Sequence, residues 1–365
     1  MINKNENTKY FKIAHVHIIM TANDRDMSTK FTEWLKMYEV ENDKSFSSPI
    51  KLSIISLDKN QPIPFIIGDE FSKTFTSNNA EYFTYKNLWI VKFKDAGMAI
   101  LNRETYEIIE YSYNDVVFES VWNFEDFFHP LFELIRQKKL YPHHSATTSY
   151  NNKGLLMPGK SGQGKTTLSL DLLSNGFDFL SDDRCFLREI LSEESEQSEG
   201  IFPSEESKQT EKYNHSGENH LSEKNTIIEM FGFYEPLRVF SSNVKHIDTL
   251  KEFTEKSTDS SVKYELDIKE IYEDKILEKC ILAGILFPQW SPGSPSQLVP
   301  MSETEALVEL LPLSMVCFDA ASTREHFEFS AKLVKKYPSA KLFMGDDKDE
   351  WHKLVMDFIK GDING

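Results

Sequence analysis

Cysteine is scarce in this sequence, and the few cysteines stand far apart. The chain of 365 residues has three of them, Cys185, Cys280 and Cys317, and they show neither metal-ligand nor redox spacing. We therefore expect buried free thiols in the reducing environment of the cytoplasm.

Positive charge and long apolar runs are also lacking. Lysine and arginine number 41 against 58 acidic residues, giving a formal net charge of −17, so nucleic acid is excluded as a partner. The longest strongly apolar stretch, residues 281–287, is far shorter than the ~20 residues of a membrane helix, and the first residues lack the apolar core of a signal peptide. The sequence predicts a soluble, cytoplasmic protein with no membrane partner.

The sequence does have ample material for a buried core. Hydrophobic residues make up 40% and aromatic residues 13% of the chain, and its length predicts two domains. Between residues 10 and 122, β-branched and aromatic runs alternate with polar breaks, as in the strands of a mostly antiparallel sheet. The predicted strands are residues 13–20, 51–57, 62–68, 81–93, 95–101 and 116–122.

A helical pattern over residues 123–139 closes this first part of the chain, and Tyr141-Pro142 then breaks it. We place a domain boundary there. The prediction is a β-rich N-terminal domain over residues 1–140, whose candidate role is recognition of a substrate or partner, and a second domain over residues 141–365.

The second domain opens with the order strand, glycine-rich turn, helix and strand. The strands are predicted at residues 153–158 and 177–183 and the helix at residues 165–174, which together make one α/β phosphate-binding unit. Between the first strand and the helix, Gly159–Thr166 fits the pattern of a phosphate-binding loop (P-loop).

This loop suits ATP and Mg²⁺. Its glycines let backbone N–H groups converge on a phosphate at the positive end of a helix. Lys165 would bridge the β- and γ-phosphates, and the Thr166 hydroxyl would hold Mg²⁺. The predicted nucleotide-binding residues are Gly159, Ser161, Gly162, Gln163, Gly164, Lys165, Thr166 and Thr167.

Two adjacent carboxylates, Asp182 and Asp183, follow the second strand of this unit. Phosphoryl transfer needs one carboxylate to hold Mg²⁺ and another to orient or deprotonate the attacking hydroxyl. We expect the pair to lie at a strand end beside the loop and to supply both roles.

Residues 191–225 have a different character. They hold nine glutamates and three lysines with very few apolar side chains, and such a composition cannot offset its ordering entropy by burial. We predict a flexible, disordered acidic insertion. A merely solvated loop and an electrostatic filter for partners are both compatible with it.

The remaining chain predicts a buried strand over residues 281–290 followed by a turn. Ser302 and Glu305 form a capping box for a helix at residues 303–311. Two further helices are predicted at residues 322–337 and 349–361.

Residues 143–183, HHSATTSYNNKGLLMPGKSGQGKTTLSLDLLSNGFDFLSDD, resemble the core of the HPr kinase/phosphorylase family, whose fold is a P-loop kinase domain like that of phosphoenolpyruvate carboxykinase. Residues 233–239 and 285–311 are similar to HPr-kinase-related proteins of bacterial peptide-modification clusters, including kinases of lasso-peptide maturation. The resemblance covers residues 143–311 patchily and leaves residues 1–140 uncovered.

The resemblance implies roles for three side chains. Asp182 would accept the proton of the substrate hydroxyl, His144 would polarise or orient that carboxylate, and Asp183 would serve the metal or Lys165. The family's glutamate-isoleucine-arginine-glycine signature lacks its arginine here, where Glu229–Gly232 stands. Dephosphorylation by phosphate attack is therefore not expected.

Two further positions bear on the charge of this site. Lys160 replaces the aspartate usual in HPr kinases and adds a positive charge near the nucleotide. Arg238 is a candidate for stabilising the transferred phosphoryl group, although a surface role is also open.

The sequence thus predicts an α/β protein in which a β-rich N-terminal domain precedes a phosphoenolpyruvate-carboxykinase-like P-loop kinase domain. Its expected function is transfer of the ATP γ-phosphoryl group to a serine-type hydroxyl of a peptide or protein, such as a precursor peptide in natural-product maturation. The resemblance adds a homo-oligomer as a further expectation. A small-molecule kinase, a plain NTPase that moves a partner and a nucleotide-sensing module without catalysis remain alternatives.

Overall fold

The computed structural model describes residues 8–42, 46–77, 79–94, 96–113, 121–192, 226–256, 259, 262–314 and 317–361. These residues form helices packed on two large sheets, so the α/β prediction is confirmed at that level. The helices are α1 (Arg25–Trp34), α2 (Val121–Gln137), α3 (Lys165–Ser174), α4 (Lys251–Lys256), α5 (Glu303–Leu310), α6 (Ala320–Lys336) and α7 (Trp351–Lys360).

Nine strands from the first part of the chain form one sheet in the order β3-β1-β2-β4-β9-β8-β7-β6-β5. They are β1 (Thr8–Ile13), β2 (Val16–Ala22), β3 (Glu39–Val40), β4 (Ile50–Leu57), β5 (Ser72–Thr76), β6 (Ala80–Tyr85), β7 (Leu88–Phe93), β8 (Gly97–Asn102) and β9 (Glu107–Tyr113). Only β4 pairs in parallel, with β2 and β9, so the prediction of a mostly antiparallel sheet is confirmed.

Some local predictions in this part are wrong. Residues 62–68 form no strand, because Pro62 and Pro64 remove two of the backbone donors that a sheet ladder needs. Of the strand predicted at residues 116–122, residues 116–120 lie outside the described residues and the last two open helix α2. Helix α1 and strand β9 were not predicted.

The second sheet has eight strands in the order β11-β10-β13-β14-β17-β19-β18, with β12 beside β10. Its strands are β10 (Tyr141–Tyr150), β11 (Lys153–Pro158), β12 (Asp178–Ser181), β13 (Arg184–Leu191), β14 (Thr226–Gly232), β17 (Lys279–Trp290), β18 (Gln297–Pro300) and β19 (Ser339–Met344). A separate hairpin pairs β15 (Leu237–Phe240) with β16 (Lys263–Leu266). Tyr141-Pro142 was predicted to break the helical pattern, and helix α2 indeed ends at Gln137, before Tyr141 opens β10.

Parallel pairing brings three strand ends to one edge of the second sheet. Strand β11 pairs with β17, and β17 pairs with β19, in both cases in parallel. The carboxyl ends of all three strands therefore point the same way, and in sheets of this kind ligands bind beyond the carboxyl ends. The pairing of β11 with both β10 and β17 closes part of the sheet into a ring.

The buried core contains side chains from both sides of the predicted boundary at residue 140. One hydrophobic cluster joins side chains of the first sheet and α2 to side chains from the second half of the chain, namely Phe186, Phe231, Phe233 and Phe318. The buried Tyr38 hydroxyl also donates a hydrogen bond to the carbonyl of Gly232. The division at residue 140 separates the two sheets in sequence, and as a division into domains it stays a prediction.

The three cysteines are free thiols. Cys185 and Cys280 are buried in one core cluster of the second sheet, and burial raises the pKa of both thiols. Cys317 is partly exposed.

Among the described residues, no helix is both long enough and apolar enough to cross a membrane.

Residues 193–225 of the predicted acidic insertion lie outside the described residues. The strands that flank them pair directly, with Leu191 opposite Thr226 at the open end of the β13–β14 ladder.

The helices predicted near residues 303, 322 and 349 are present as α5, α6 and α7, and Ser302 and Glu305 form the predicted capping box.

Candidate functional site

The predicted phosphate-loop unit has the strand and helix bounds expected from the sequence. Strand β11 ends at Pro158, the turn follows, and α3 begins at Lys165. Gly162 and Gly164 have φ of +88° and +99°, a left-handed conformation that favours glycine. A side chain at Gly164 would also collide with Met344, so both backbone conformation and space require glycine there.

Lys165 lies inside this turn with little exposure, and its ammonium donates a hydrogen bond to the carbonyl of Gly159. Burial lowers its pKa, while the charges of Asp183 and Asp182 oppose the shift. In the same turn, the N–H of Lys160 donates to the side-chain carbonyl of Gln163. The turn thus holds a buried cation at the start of a helix, a combination that suits phosphate binding.

Asp182 and Asp183 lie in a bend between β12 and β13, and both strands pair with the same edge of β10. The two aspartates therefore bulge from an otherwise continuous edge, at a strand end beside the loop, as the sequence predicts. Ser145 in β10 fixes the bend, because its N–H donates to the Asp183 carbonyl at 2.9 Å.

Asp182 contacts the phosphate loop directly. The hydroxyl of Thr166 donates a hydrogen bond to Asp182 Oδ2 at 2.7 Å. Burial raises the pKa of Asp182 to about 6, although the hydrogen bond from Thr166 works against the shift. Its other oxygen, Oδ1, is buried and has no hydrogen-bond partner among the described residues.

Asp183, rather than Asp182, is the partner of His144. The imidazole Nδ1 lies 3.3 Å from Asp183 Oδ1, and Arg184 Nη2 lies 3.4 Å from Oδ2. Burial alone would raise the pKa of Asp183, but the hydrogen bond from His144 and the charges of Arg184 and Lys165 lower it to about 2. The expectation that His144 orients Asp182 is therefore corrected. The strand register explains the contact between His144 and Asp183, since His144 in β10 stands opposite Arg184, the first residue of β13.

Sequence reasoning missed Arg184, the buried arginine of the site. Its guanidinium bridges Asp183 and Glu235, with Nη1 2.6 Å from Glu235 Oε1. The available signal was an arginine directly after the acidic pair. Arg238, the arginine singled out from the sequence, is exposed and lines the same cavity.

The segment compared with the family's signature has a structural role here. Glu229 in β14 is buried and pairs with Arg188 and Lys279. It does not line the cavity of the phosphate loop. These contacts tie β14 to its two neighbouring strands.

Lys165, Thr166, the two aspartates, His144 and Arg184 open into one cavity of about 1510 Å³. Its lining also includes the hairpin β15–β16, the end of β17, and a wall from the first part of the chain formed by Glu33, Lys36, Met37 and His129. Small-molecule pockets usually measure about 300–1,000 Å³. The cavity therefore has room for a second substrate beside a nucleotide.

The donor set fits Mg²⁺ bound together with a nucleotide. Mg²⁺ prefers oxygen ligands and is commonly held by one or two carboxylates plus substrate phosphates. The Thr166 hydroxyl and the unpartnered buried oxygen of Asp182 match that chemistry. Within the described ranges, no group of three or more His, Cys, Asp or Glu side chains is placed to hold a metal by itself.

Comparisons with known proteins add little to this geometry. No family model matches the sequence, and no curated protein matches it. Among solved structures, the HPr(Ser) kinase/phosphatase from Coxiella burnetii aligns with 60% of this chain and 95% of its own, at 9% identity and a TM-score of 0.27. A likeness of that size carries no argument, so the resemblance in residues 143–311 stays a prediction.

Proposed function

We propose that this protein is an ATP-dependent kinase that transfers the γ-phosphoryl group to a serine-type hydroxyl of a peptide or protein. One observation carries the proposal. The Thr166 hydroxyl, in the first turn of the helix that begins at Lys165, donates directly to Asp182. A phosphate-binding loop is thereby joined to an acidic pair, which is the combination that phosphoryl transfer needs.

The loop binds the triphosphate in this proposal. Backbone N–H groups of residues 159–166 and the start of α3 hold the phosphates, and Lys165 exchanges its internal carbonyl contact for a phosphate oxygen. Thr166 and Asp182 would hold the Mg²⁺ that accompanies ATP, which would neutralise charge on the β- and γ-phosphates.

Asp183 and His144 face the acceptor. Asp183 orients the acceptor hydroxyl and takes its proton as the new O–P bond forms and the bond to the β-phosphate oxygen breaks, leaving ADP. His144 and Arg184 fix the carboxylate that does this. This assignment reverses the roles that the resemblance implies for the two aspartates, because Thr166 contacts Asp182 and His144 contacts Asp183.

The acceptor class rests on the cavity. Its volume is larger than that of usual small-molecule pockets, and one wall comes from residues outside the P-loop unit, which suits a second, larger substrate. A precursor peptide as acceptor and a homo-oligomer are parts of the proposal that rest on the resemblance alone, whereas the cytoplasmic location rests on the composition of the sequence.

Titration calorimetry of Mg·ATP tests the loop. We expect Lys165→Ala to weaken binding by orders of magnitude, since the change removes a charge from a partly desolvated phosphate site. Lys160→Ala is the matched control, because Lys160 is an exposed lysine of the same turn, and it should lose far less affinity. Equal binding by the wild type and Lys165→Ala would overturn the assignment of the loop.

Transfer itself is tested with γ-labelled ATP and pools of short peptides. A serine-containing pool should acquire label, and the same pool with serine replaced by alanine should not. Label in neither pool, together with turnover of ATP alone, would favour an NTPase over a kinase.

A further inference from the structure

Trp290 is an exposed aromatic side chain in the cavity of the phosphate loop. It is 38% exposed, whereas Trp89 and Trp351 are buried, and it lines the same cavity as Lys165 and Asp182. The proposed chemistry gives this ring no role. Aromatic surface left exposed beside the charged groups of a cavity indicates a binding contact.

Its position follows from the sheet. Trp290 is the last residue of β17, which pairs in parallel with β11, the strand that leads into the loop. A Cβ placed on Gly164 would lie 4.0 Å from Trp290 Cε3. The indole therefore lies directly beside the loop, at the carboxyl edge of the sheet.

The acidic pair lies on the opposite flank of the loop. Strand β11 has β10 on one side and β17 on the other, and Asp182 and Asp183 follow β12, which pairs with β10. A triphosphate whose γ-phosphate reaches the acidic pair must direct its other end away from that flank. The nucleoside end then leaves the loop on the side where Trp290 stands.

Trp290 is also held in place. Its ring meets the buried Trp351 edge-to-face at 5.6 Å between centroids, and Trp351 meets His246 at 5.7 Å. A ring fixed from behind and exposed in front loses little freedom when a flat partner stacks on it.

We propose that Trp290 is the stacking platform for the nucleobase of ATP. The inference rests on the proposed function, because it needs a nucleoside triphosphate in the loop. Base stacking on an aromatic ring requires no hydrogen-bond readout, so the platform should accept purine nucleotides generally.

Two Mg²⁺-bound ligands test this, ATP and inorganic tripolyphosphate, which has the phosphates but no base. We expect Trp290→Ala to weaken ATP binding by roughly 5- to 150-fold, the range for one lost base–aromatic stack, and to leave tripolyphosphate binding unchanged. Trp290→Phe should retain most of the ATP affinity. Lys165→Ala should weaken both ligands, which marks the loop separately from the platform.

Three outcomes would overturn the inference. Equal weakening of both ligands by Trp290→Ala, at an unchanged melting temperature, would make Trp290 a brace for the loop. Unchanged ATP affinity with a raised KM for the peptide acceptor would assign the ring to the acceptor. Failure of the wild type to bind either ligand would remove the proposed function first and this inference with it. If Trp290→Ala melts early, Trp290→Leu repeats the comparison, because leucine keeps apolar contact with Trp351 and lacks a ring.

Discussion

Asp182 and Asp183 are adjacent in the chain, yet they contact different partners. Asp182 accepts from Thr166, whereas Asp183 lies between His144 and Arg184. Changing an aspartate to asparagine keeps the shape of the side chain and removes its charge. Because the partners differ, we expect the two asparagine variants to differ in which step they impair, Mg²⁺-dependent binding or phosphoryl transfer.

We expect Asp183→Asn to bind ATP almost normally and to lower the rate of phosphoryl transfer by roughly 10²–10⁴, the range for a general base. Asp182→Asn should raise the Mg²⁺ concentration needed for half-maximal ATP binding. Calorimetry at several Mg²⁺ concentrations and a transfer assay measure both effects. If Asp182→Asn lowered the rate without changing the Mg²⁺ requirement, the roles implied by the family resemblance would be right and ours wrong.

Two buried histidines away from the loop should control acid stability. The rings of His143 and His326 lie 4.8 Å apart, and burial lowers the pKa of His143 to about 3 and that of His326 to about 2, with the charge of Arg136 adding to both shifts. An unfolded imidazole takes up its proton near pH 6.5. Below that pH the unfolded chain binds more protons than the folded one, so the free energy of unfolding falls as the pH falls.

The slope of the free energy of unfolding against pH is measurable. Each such histidine contributes about 1.4 kcal/mol per pH unit between about pH 6 and pH 4. His326→Phe keeps a ring against Tyr141 and removes one titrating group, so urea unfolding should show a pH slope smaller by one proton. Identical slopes for wild type and variant would mean that His326 is protonated in the folded chain.

At the scale of elements, β13 and β14 form an antiparallel ladder whose open end is Leu191 opposite Thr226. A short turn can close such a ladder, and the entropy of loop closure changes slowly with loop length. Replacing residues 193–225 by about four Gly/Ser residues, within the usual range of hairpin loops, should leave the melting temperature and ATP binding almost unchanged.

A Gly/Ser linker of the native length is the control, because it keeps the length and removes the sequence. Peptide transfer at low and high salt then shows whether the glutamates filter partners, since such an effect weakens as salt screens charge. A large fall in melting temperature with both linkers would show that residues 193–225 pack against the fold, and the prediction of a disordered insertion would be wrong.

Elements with strong local signals were predictable from the sequence. Strand β11 and helix α3 have the expected bounds because a buried apolar run, a glycine turn and a helical pattern follow one another directly. Strand β19 was missed, since its short, mixed sequence becomes a strand through pairing with β17 and β18. The long-range pairing of β17 with β11 places Trp290 beside the loop, and no local sequence pattern predicts that contact.

The partner of His144 was beyond sequence reasoning for a similar reason. Which of two adjacent aspartates faces a histidine depends on where β12 ends and β13 begins along β10. The residue types of the site could be predicted from the sequence, whereas their pairing required the register.

At the scale of the whole molecule, the shared core should make the chain unfold as one unit. Phe132 of α2 is buried, and its ring lies 5.7 Å from Phe186 and 6.4 Å from Phe233 of the second half. We expect Phe132→Ala to lower the free energy of unfolding by about 3–5 kcal/mol. Far- and near-ultraviolet circular dichroism should follow a single transition shifted as a whole.

Ile109→Ala is the control, because Ile109 in β9 is 36% exposed and its truncation should cost about 1 kcal/mol or less. Two separate transitions, of which Phe132→Ala moves only one, would show that the two halves fold independently. The predicted division at residue 140 would then describe true folding units.

The two buried thiols, Cys185 and Cys280, can report how often the strands of the second sheet separate. Cys185 lies in β13 and Cys280 in β17, on either side of β14, and alkylating reagents attack the thiolate, which burial suppresses at both positions. These two residues can be labelled only when the strands around them part, whereas Cys317 is partly exposed throughout. The labelling rate of Cys185 and Cys280 relative to that of Cys317 therefore measures, in native buffer and without any engineered cysteine, how often the sheet beside the phosphate loop opens.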